Sequence, residues 1–590
     1  MTLIRMSWEF LRRKKTAFFF IFLLQVVQIL LSLVLPALNA QIIDDGILGN
    51  DRALIWRMGG LMLAIAFVQI GAMVGAIYLG ARTAMELGRE LRGRSFRHVQ
   101  SFSATDQHKF GAPTLITRVS NDVTQVQNVV LLTFTVMVMA PLMGFGGVFM
   151  AIQQNARLSL LLIVIVPLLG LLIYVVMRAL APRYTIQQER IDLINTLLRE
   201  QLTGVRVIRA FVRQGTIRAK FDDANHKLRR IWLEIGILWA FLMPAASLII
   251  GLSSAAVVWF AAHLISAGSM QVGALTAYIS YLMMIMMSVM MSGMMVMLFP
   301  RGEVSAKRLQ QIFDVESSIQ APAHPVPIPA GPLTFELDHA GLRYPGAEEP
   351  VLSDITMTFA PATQVALIGS TGSGKSSIIK LLPRLIDATS GEVRAGGVPV
   401  KDMDPGELRS RIALVPQQAF LFSGTVATNV AGSPDKRVPY DADRVILALR
   451  AAQAWDFVSE LEDGIESAVE SGGKNFSGGQ RQRLTIARAI YRCLPDAQGR
   501  RQADLLVFDD SFSALDYQTD ARLRSGLRAF IGDIAVFIIA QRVSTIRQAN
   551  QIHVLDHGRI VGVGTHLELL DSCETYQEIV TSQLTAEEAR

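Results

Sequence analysis

Cysteine and charge are both scarce in this chain of 590 residues. Its two cysteines, Cys493 and Cys573, lie in the second half. Two thiols cannot build a disulfide framework, and the pattern fits a reducing compartment. Charged residues make up 18% of the chain and hydrophobic residues 51%, with a mean hydropathy of +0.36. That balance is too apolar for one soluble protein of this length and predicts a membrane domain.

Six long apolar runs occupy the first half and predict six membrane spans. The first run is too long for a signal-peptide core and shows no cleavage site, so we predict that it stays as a membrane helix. The segment before it, residues 2–15, mixes apolar and basic positions and predicts an interfacial helix. The runs cover residues 16–40, 54–79, 129–152, 158–177, 235–265 and 275–299.

Arginines cluster in the two long connectors, between the second and third runs and between the fourth and fifth. By the positive-inside rule, these connectors, both chain ends and the second half lie in the cytoplasm, with the spans in the cell inner (plasma) membrane. Each connector is roughly 50 residues long with few helix breakers, which disfavours a floppy loop. We predict that the membrane helices continue into the cytoplasm and turn there. A pair of small independent hairpins is the alternative.

The net charge of +6 and the pI of 9.3 do not indicate a nucleic-acid partner. No nucleic-acid motif accompanies the charge, and the arginines lie beside the apolar runs. Charged residues are rare within the runs, which argues against an ion path built on buried carboxylates. We therefore predict membrane lipid and a small apolar or amphipathic substrate as partners, and no nucleic acid.

Methionine is concentrated in the last apolar run. Met283, Met287, Met290, Met294 and Met297 follow helical spacing along one face. Flexible, polarisable thioethers suit contacts with varied apolar ligands. Lipid-facing or helix–helix packing is the plainer interpretation, and both stay open.

A proline-rich stretch, residues 321–329, separates the two halves and reads as an extended linker. After it, short β-rich runs alternate with helical ones, which is typical of an α/β domain. We predict a transmembrane domain over 1–313 with an interfacial helix and two cytoplasmic coupling loops, a linker over 314–332, and an α/β nucleotide-binding domain over 333–590.

A complete G-x-x-x-x-G-K-S loop follows the apolar strand at residues 364–368. Its glycines let the backbone curl so that N–H groups face phosphates. Lys375 can reach the β- and γ-phosphates, and Ser376 can ligate Mg²⁺. The predicted ATP-binding residues of the loop are Gly369, Ser370, Thr371, Gly372, Ser373, Gly374, Lys375 and Ser376.

A second apolar run, residues 505–508, ends in Asp509 and Asp510. An apolar strand that closes on an aspartate is typical of the Mg²⁺-holding strand of a P-loop ATPase, which assigns the metal to Asp509. The next position normally carries the carboxylate that orients the attacking water. In this chain that position is Asp510.

Residues 476–483 read Phe-Ser-Gly-Gly-Gln-Arg-Gln-Arg. This segment resembles the signature motif of ABC ATPases. Together with the phosphate loop and the six apolar runs, it makes nearly the whole chain similar to a half-transporter of the ABC exporter type. The implied fold is a six-helix membrane domain, with long cytoplasmic helix extensions, followed by an α/β P-loop ATPase domain.

The resemblance implies further roles for named residues. Two ATPase domains pack head to tail, so that Ser477, Gly478, Gly479 and Gln480 contact ATP held by the partner. Tyr344 matches the aromatic residue that stacks on adenine, with a buried structural tyrosine as the alternative. Gln417, rather than its neighbour Gln418, matches the glutamine near Mg²⁺ and the membrane-domain contact. Ser513 to Asp516 matches the loop after the catalytic strand.

Two catalytic positions depart from the family pattern. Glutamate is usual where this chain has Asp510, and histidine is usual where it has Gln541. Aspartate is one methylene shorter, and glutamine cannot titrate near pH 7. Because the ATP-binding residues look intact, the pattern resembles the degenerate-site subunit of heterodimeric multidrug or lipid exporters. Normal turnover despite both substitutions is the alternative.

The function predicted from this pattern is ATP-driven export of apolar or amphipathic compounds, with ATP and Mg²⁺ as cofactors. The partner is a second half-transporter with Glu and His at the two positions. Asp510, Gln541 and Gln417 are the predicted catalytic residues, and Ser376, Gln417 and Asp509 the predicted Mg²⁺ ligands. Import of metal–chelator complexes and a non-transporting membrane ATP sensor are the rival functions.

Overall fold

The computed structural model describes residues 2–433, 437–513 and 515–583 and separates into two compact units. The first unit holds residues up to Ser101 together with Phe110–Glu316. The second holds Phe102–Lys109 and the residues from Ser317 onward. Each unit has its own buried core.

The first unit is helical throughout. Its α-helices are α1 (Thr2–Arg13), α2 (Lys15–Gln41), α3 (Arg52–Gln100), α4 (Ala104–Phe110, largely in the second unit), α5 (Ala112–Thr117), α6 (Val123–Leu132), α7 (Met139–Gln154), α8 (Leu162–Thr203), α9 (Val205–Ala210), α10 (Gln214–Ser266) and α11 (Val272–Phe313). Short π-helical turns at Ile42–Ile47, Arg118–Asp122 and Thr133–Met137 and a 3₁₀ turn at Leu158–Leu161 continue these helices.

Six continuous helical stretches in the first unit are long and apolar enough to cross a membrane. They run over Lys15–Ile47, Arg52–Gln100, Ala112–Gln154, Leu158–Thr203, Gln214–Ser266 and Val272–Phe313. The shortest has 33 residues and the longest 53, whereas a bilayer needs about 20. The excess length confirms the predicted extensions of the spans, so the two long connectors are not separate hairpins.

Two buried tyrosines anchor α11 inside the first unit. Tyr281 donates its hydroxyl to the Leu33 carbonyl oxygen at 2.8 Å, and Tyr278 donates to the Leu158 carbonyl oxygen at 3.2 Å. At the start of the helix, the Gly273 N–H donates to Asp44 Oδ1 at 2.6 Å. In an apolar bundle each polar group needs such an internal partner, so these bonds fix the position of α11 along its neighbours.

A short segment from the first long connector belongs to the second unit. The buried Asp106 accepts hydrogen bonds from the hydroxyls of Ser103 and Ser318, at 2.7 and 3.0 Å, and from the Ser318 N–H at 2.9 Å. Burial would raise the pKa of Asp106, but these hydrogen bonds outweigh it and hold the pKa at about 2. The start of the linker is therefore tied to α4 by an ionised carboxylate.

The second unit is an α/β domain. Its strands are β1 (Phe335–Leu342), β2 (Leu352–Phe359), β3 (Gln364–Gly369), β4 (Ser390–Ala395), β5 (Val398–Pro399), β6 (Ile412–Val415), β7 (Gly424–Thr425), β8 (Ala468–Val469), β9 (Leu505–Asp509), β10 (Ala535–Ile539), β11 (Gln551–Asp556) and β12 (Arg559–Gly564). Its helices are α12 (Lys375–Leu381), α13 (Pro405–Ser410), α14 (Val426–Val430), α15 (Ala442–Ala451), α16 (Trp455–Ser459), α17 (Gly478–Cys493), α18 (Tyr517–Ile531), α19 (Val543–Ile546), α20 (His566–Ser572) and α21 (Glu574–Gln583).

The central sheet has six strands in the order β12-β11-β3-β10-β9-β6, and all its pairings are parallel except that of β12. A four-stranded antiparallel sheet, β2-β1-β4-β5, lies beside it. Side chains alternate along β9: Leu506 and Phe508 join the core on one face, and Leu505 and Val507 join the core on the other. Both faces of the parallel sheet are covered, which explains its nearly continuous apolar strands.

Candidate nucleotide site

Four predicted site segments meet at one edge of the central sheet. β3, β10, β9 and β6 are parallel neighbours, so their carboxyl ends lie side by side. β3 leads into the glycine-rich loop and β9 ends at Asp509, while Gln541 and Gln417 each follow two residues after the ends of β10 and β6. In open α/β sheets, ligands bind at this edge.

The loop after β3 has a backbone that requires glycine. Gly372 and Gly374 have φ angles of 89° and 109°, in the left-handed region. A Cβ on Gly369 would lie 2.1 Å from the Leu555 carbonyl oxygen. Ser373 is buried, and its hydroxyl oxygen has no hydrogen-bond partner within the described residues. A tight loop with an unsatisfied buried hydroxyl fits the cradle expected for phosphates.

Lys375 lies at the mouth of this loop. Its Nζ donates to the carbonyl oxygens of Gly369 and Ser370, at 2.8 and 2.7 Å. Burial lowers the pKa of Lys375, while the charges of Asp510 and Asp509 act in the opposite direction. The ammonium group is therefore held between loop carbonyls and two carboxylates, where it can meet an anionic phosphate.

Asp510 is held by two side-chain amides. Gln541 Nε2 donates to Asp510 Oδ2 at 3.0 Å, and Gln417 Nε2 donates to the same oxygen at 3.4 Å. The Asp510 backbone has a φ of 45°, a left-handed conformation that aspartate tolerates better than most residues. All three predicted catalytic residues are thus brought together in this structure.

The ionised forms of the adjacent carboxylates Asp509 and Asp510 are both destabilised. Burial raises the pKa of Asp509, and the neighbouring charge of Asp510 raises it further. Burial also raises the pKa of Asp510, against the hydrogen bonds from Gln541 and Gln417. A divalent cation at Asp509 would relieve this repulsion.

The donor set near Asp509 fits Mg²⁺. Ser376 supplies a hydroxyl, Asp509 a carboxylate and Gln417 an amide oxygen, and Mg²⁺ prefers such hard oxygen ligands. When bound, Mg²⁺ would neutralise charge on the phosphates of ATP. Ser376, Asp509 and Gln417 are the residues that would hold that cation.

Tyr344 lies beside the loop helix. Its hydroxyl is 3.2 Å from Ser377 Oγ, and Lys380 Nζ lies 5.8 Å from the centre of its ring. Tyr344 also lines a cavity of about 580 Å³ formed by the loop between β1 and β2 and the start of β4. Tyr344 is half-buried and packs against the sheet core. Its partial exposure is compatible with stacking on adenine, and its packing is compatible with a structural role, so both interpretations stay open.

The signature residues form the first turn of α17, and their hydrogen bonds are local. Ser477 is the N-cap: its hydroxyl accepts from the Gln480 N–H at 3.3 Å, and its own N–H donates to Gln480 Oε1 at 2.8 Å. Gly478 and Gly479 follow in the same turn. Ser477 and Gly478 are exposed, so the first turn of α17 is accessible from solvent.

The loop after the catalytic strand is described in part. Ser513 Oγ donates to the Asp510 carbonyl oxygen at 2.8 Å, and Asp516 caps α18 by accepting from the Thr519 N–H at 2.9 Å. Ala514, within the predicted loop, lies outside the described residues. The described ends of this loop are thus fixed to Asp510 and to α18.

Gln583 at the end of α21 is a contact that the sequence did not signal. Its Nε2 donates to the Gln541 carbonyl oxygen at 2.8 Å, and its Oε1 accepts from the Val543 N–H at 2.9 Å. One amide thus bridges both sides of Arg542 and holds the loop that carries Gln541. Only the folded chain brings α21 to this loop, since 40 residues separate Val543 from Gln583.

In a chain that carries Asp510→Glu and Gln541→His, the residues usual at these positions, we expect Gln583→Ala to lower the ATPase kcat by about threefold to tenfold with little change in KM, because two hydrogen bonds that position the loop after β10 are lost. Steady-state kinetics checks this. Gln577→Ala is the matched control, because Gln577 Nε2 donates to Leu570 O instead. If both variants lowered kcat equally, the effect would come from a general loss of structure in α21, and a positioning role for Gln583 would be contradicted.

The chain is similar to several known proteins. The ABC transporter transmembrane region family matches residues 18–289, and the ABC transporter family matches residues 352–495. An uncharacterised ABC transporter ATP-binding protein of Mycobacterium tuberculosis is 44% identical over 565 residues, 95% of each chain. An ATP-dependent lipid A-core flippase of Thiobacillus denitrificans is 29% identical over 569 residues, again 95% of each. A bacterial Atm1-family ABC exporter with ATP bound has a TM-score of 0.78 at 21% identity, covering 97% of this chain and 99% of that chain.

The chain belongs to the ABC transporter family. It is a half-transporter of the exporter type, in which a six-helix membrane domain and an ABC ATPase domain share one polypeptide. It is a multi-pass membrane protein and an ATP-hydrolysing translocase, and its cofactors are ATP and Mg²⁺. The predicted family, fold class and cofactors are confirmed.

Proposed function

We propose that this chain is one half of a heterodimeric ABC exporter and that its own ATP site hydrolyses slowly. The partner is a different half-transporter with Glu and His where this chain has Asp510 and Gln541. Two composite ATP sites then form. One uses Lys375, Ser376 and Asp509 of this chain, and the other uses its signature turn.

The observation that carries this proposal is the environment of Asp510. A general base must bring a free lone pair to the attacking water. Asp510 Oδ2 accepts two amide N–H groups, from Gln541 and Gln417, so Oδ1 is the oxygen left to face that water. Its side chain is also one methylene shorter than glutamate, and a misplacement of about 1 Å can reduce a rate by about 100-fold. The two substitutions match each other, because the Gln541 amide reaches the shorter Asp510.

We propose an apolar or amphipathic substrate. The membrane helices have few charged residues within their apolar runs, and α11 carries the methionine face. The similar protein from Thiobacillus denitrificans is described as a lipid A-core flippase, which fits a substrate of this chemistry. The side chains of Met294 and Met297 lie outside the described residues, and the described part of this face is Met283, Met287 and Met290.

The proposed domain boundaries and orientation follow the sequence. The membrane domain spans 1–313, the linker 314–332 and the nucleotide-binding domain 333–590. The ATPase domain and the arginine-rich connectors lie in the cytoplasm, and the spans lie in the inner membrane. ATP-dependent flux of a fluorescent amphiphile in sealed vesicles tests the direction: uptake into inverted vesicles supports export, the opposite direction supports import, and no flux supports a sensor.

The slow site is tested by restoring the usual residues. Purified alone, the chain should bind ATP and hydrolyse it slowly, because the Asp510 carboxylate is retracted and engaged by amides. The double variant Asp510→Glu, Gln541→His should raise the ATPase rate of the isolated chain by about 100-fold. Phosphate release at saturating ATP measures this.

The control is Asp510→Asn in the isolated chain, which removes the carboxylate and should cost little in a site that is already slow. Brisk hydrolysis by the unmodified chain, abolished by Asp510→Asn, would contradict the proposal. It would mean that this site turns over normally despite both substitutions.

A further inference from the structure

A basic corner joins α1 to α2 at the edge of the first apolar run. Arg12, Arg13, Lys14 and Lys15 are consecutive, and all four are exposed. The corner packs beside the segment of α3 that carries Arg82, Glu86, Arg89 and Glu90. Six basic side chains therefore accompany two carboxylates.

Both carboxylates are already engaged by part of this set. Glu86 pairs with Lys14 at 3.0 Å and with Arg82 at 3.4 Å. Glu90 pairs with Arg13 at 2.5 Å. These ion pairs connect the corner to α3, and Glu9, the carboxylate on the neighbouring turn of α1, pairs with Arg5 at 3.5 Å.

The other three basic side chains lack protein partners. Arg12, Lys15 and Arg89 are exposed, and none of them forms an ion pair or hydrogen bond with its side chain in the described part of the chain. A net positive charge is therefore concentrated at this corner. It would attract an anion from the adjoining solvent or membrane surface.

The corner also contains a cavity. A space of about 530 Å³ lies between the end of α1 and α3, and Phe10, Lys14, Arg89 and Arg97 are among its lining residues. Gly93 lies in the wall without a side chain. Glu86 and Glu90 also line the space, but both are engaged in the ion pairs described above, so Arg89 and Arg97 are the cations left for a small anionic headgroup.

Exposed aromatic side chains continue from the corner into the apolar run. Phe18, Phe19 and Phe20 are 37%, 59% and 52% exposed, and Trp8 on α1 is 56% exposed. Tryptophan is favoured where acyl chains meet headgroups, and the phenylalanine rings offer apolar surface to the acyl chains themselves. A bound amphiphile would thus contact basic side chains with its headgroup and aromatic side chains with its apolar part.

We propose that this basic corner, with Arg12, Lys15 and Arg89 as its free cations, binds the headgroup of an anionic phospholipid of the cytoplasmic leaflet. The acyl chains would lie along Phe19 and Phe20. Basic pockets between membrane helices on the cytoplasmic side favour such lipids. The proposal rests on the orientation proposed above, and it concerns a lipid that stays bound rather than the exported substrate.

Spin-labelled lipids test this on the full-length chain in phosphatidylcholine vesicles. Labelled phosphatidylglycerol should be immobilised more than labelled phosphatidylcholine, and high salt should weaken the preference. The triple variant Arg12→Ala, Lys15→Ala, Arg89→Ala should reduce the preference by about fivefold or more. Inorganic phosphate at constant ionic strength should leave it unchanged.

The matched control removes Arg199, Arg213 and Lys220, two arginines and one lysine that are also exposed. They lie more than about 20 Å beyond the apolar runs along their helices and should not affect the preference. ATP binding reports that each variant is folded. Should the triple variant not fold, Arg89→Ala is compared with Arg89→Lys, which keeps the charge and should keep most of the preference.

Equal immobilisation of both lipids by the unmodified chain would overturn the proposal. So would equal losses in the triple variant and in the control, because bulk charge would then explain the effect. Displacement of phosphatidylglycerol by inorganic phosphate would show a site for a free anion. None of these outcomes depends on ATPase rate or transport, so the proposed function is judged separately.

Discussion

In the assembled heterodimer, Ser477→Arg should lower the ATPase rate by about 100-fold or more, whereas Asp510→Ala should leave most of it. In the proposed heterodimer, the signature turn of this chain would complete the site that holds the partner's catalytic glutamate. Ser477 caps α17 through Gln480, so an arginine removes the cap and places a bulky cation where the γ-phosphate would be contacted. Asp510 would belong to the other site, which we propose to be slow.

The measurement is phosphate release by both variants with the partner unchanged. Ser459→Arg serves as the control, because Ser459 is an exposed serine at the end of α16 and lies outside the signature turn. The reverse order of losses, with Asp510→Ala the more damaging change, would mean that this chain's own phosphate loop carries most of the hydrolysis.

Lys375→Ala should weaken ATP binding at this chain's own site by about tenfold to a hundredfold. The side chain is bonded to the loop carbonyls and interacts electrostatically with Asp509 and Asp510, so its removal takes away a positive charge that offsets these two carboxylates. The substitution therefore removes a positive charge that attracts phosphate, and it leaves the repulsion between phosphate and the two carboxylates less compensated.

Titration of the heterodimer with a fluorescent ATP analogue would show one site of reduced affinity and one site unchanged. Lys401→Ala is the control, because Lys401 is an exposed lysine of the same domain that pairs with Glu392 at 3.0 Å. Two unchanged sites would place Lys375 away from the phosphates and contradict the assignment of the loop.

The convergence of the site could be predicted because its residues follow strands. A run of apolar residues that ends in Asp509, and another that ends in the glycine-rich loop, indicate parallel strands whose carboxyl ends meet. The structure adds the order of those strands. It places β10 between β3 and β9, and this order brings Gln541 to Asp510.

Other contacts could not be predicted because they join distant segments through single side chains. No local pattern relates Gln583 to Gln541, or Asp106 to Ser318. Each pair depends on where the chain returns after many residues, and a polar side chain at a helix end is ordinary in itself. The same holds for the ion pairs that position the basic corner against α3.

The length of the membrane helices has a mechanical consequence. α3 runs without a proline from Arg52 to Gln100, and a helix of 49 residues is roughly 74 Å long. Such a rod converts a tilt of about 5° at one end into a displacement of about 6 Å at the other. α10 is longer still, with 53 residues, but it contains Pro244, which lacks a backbone donor and permits bending there. The two helices therefore differ in stiffness. A tilt at one end of α3 moves its other end as a rigid body, whereas α10 can bend at Pro244.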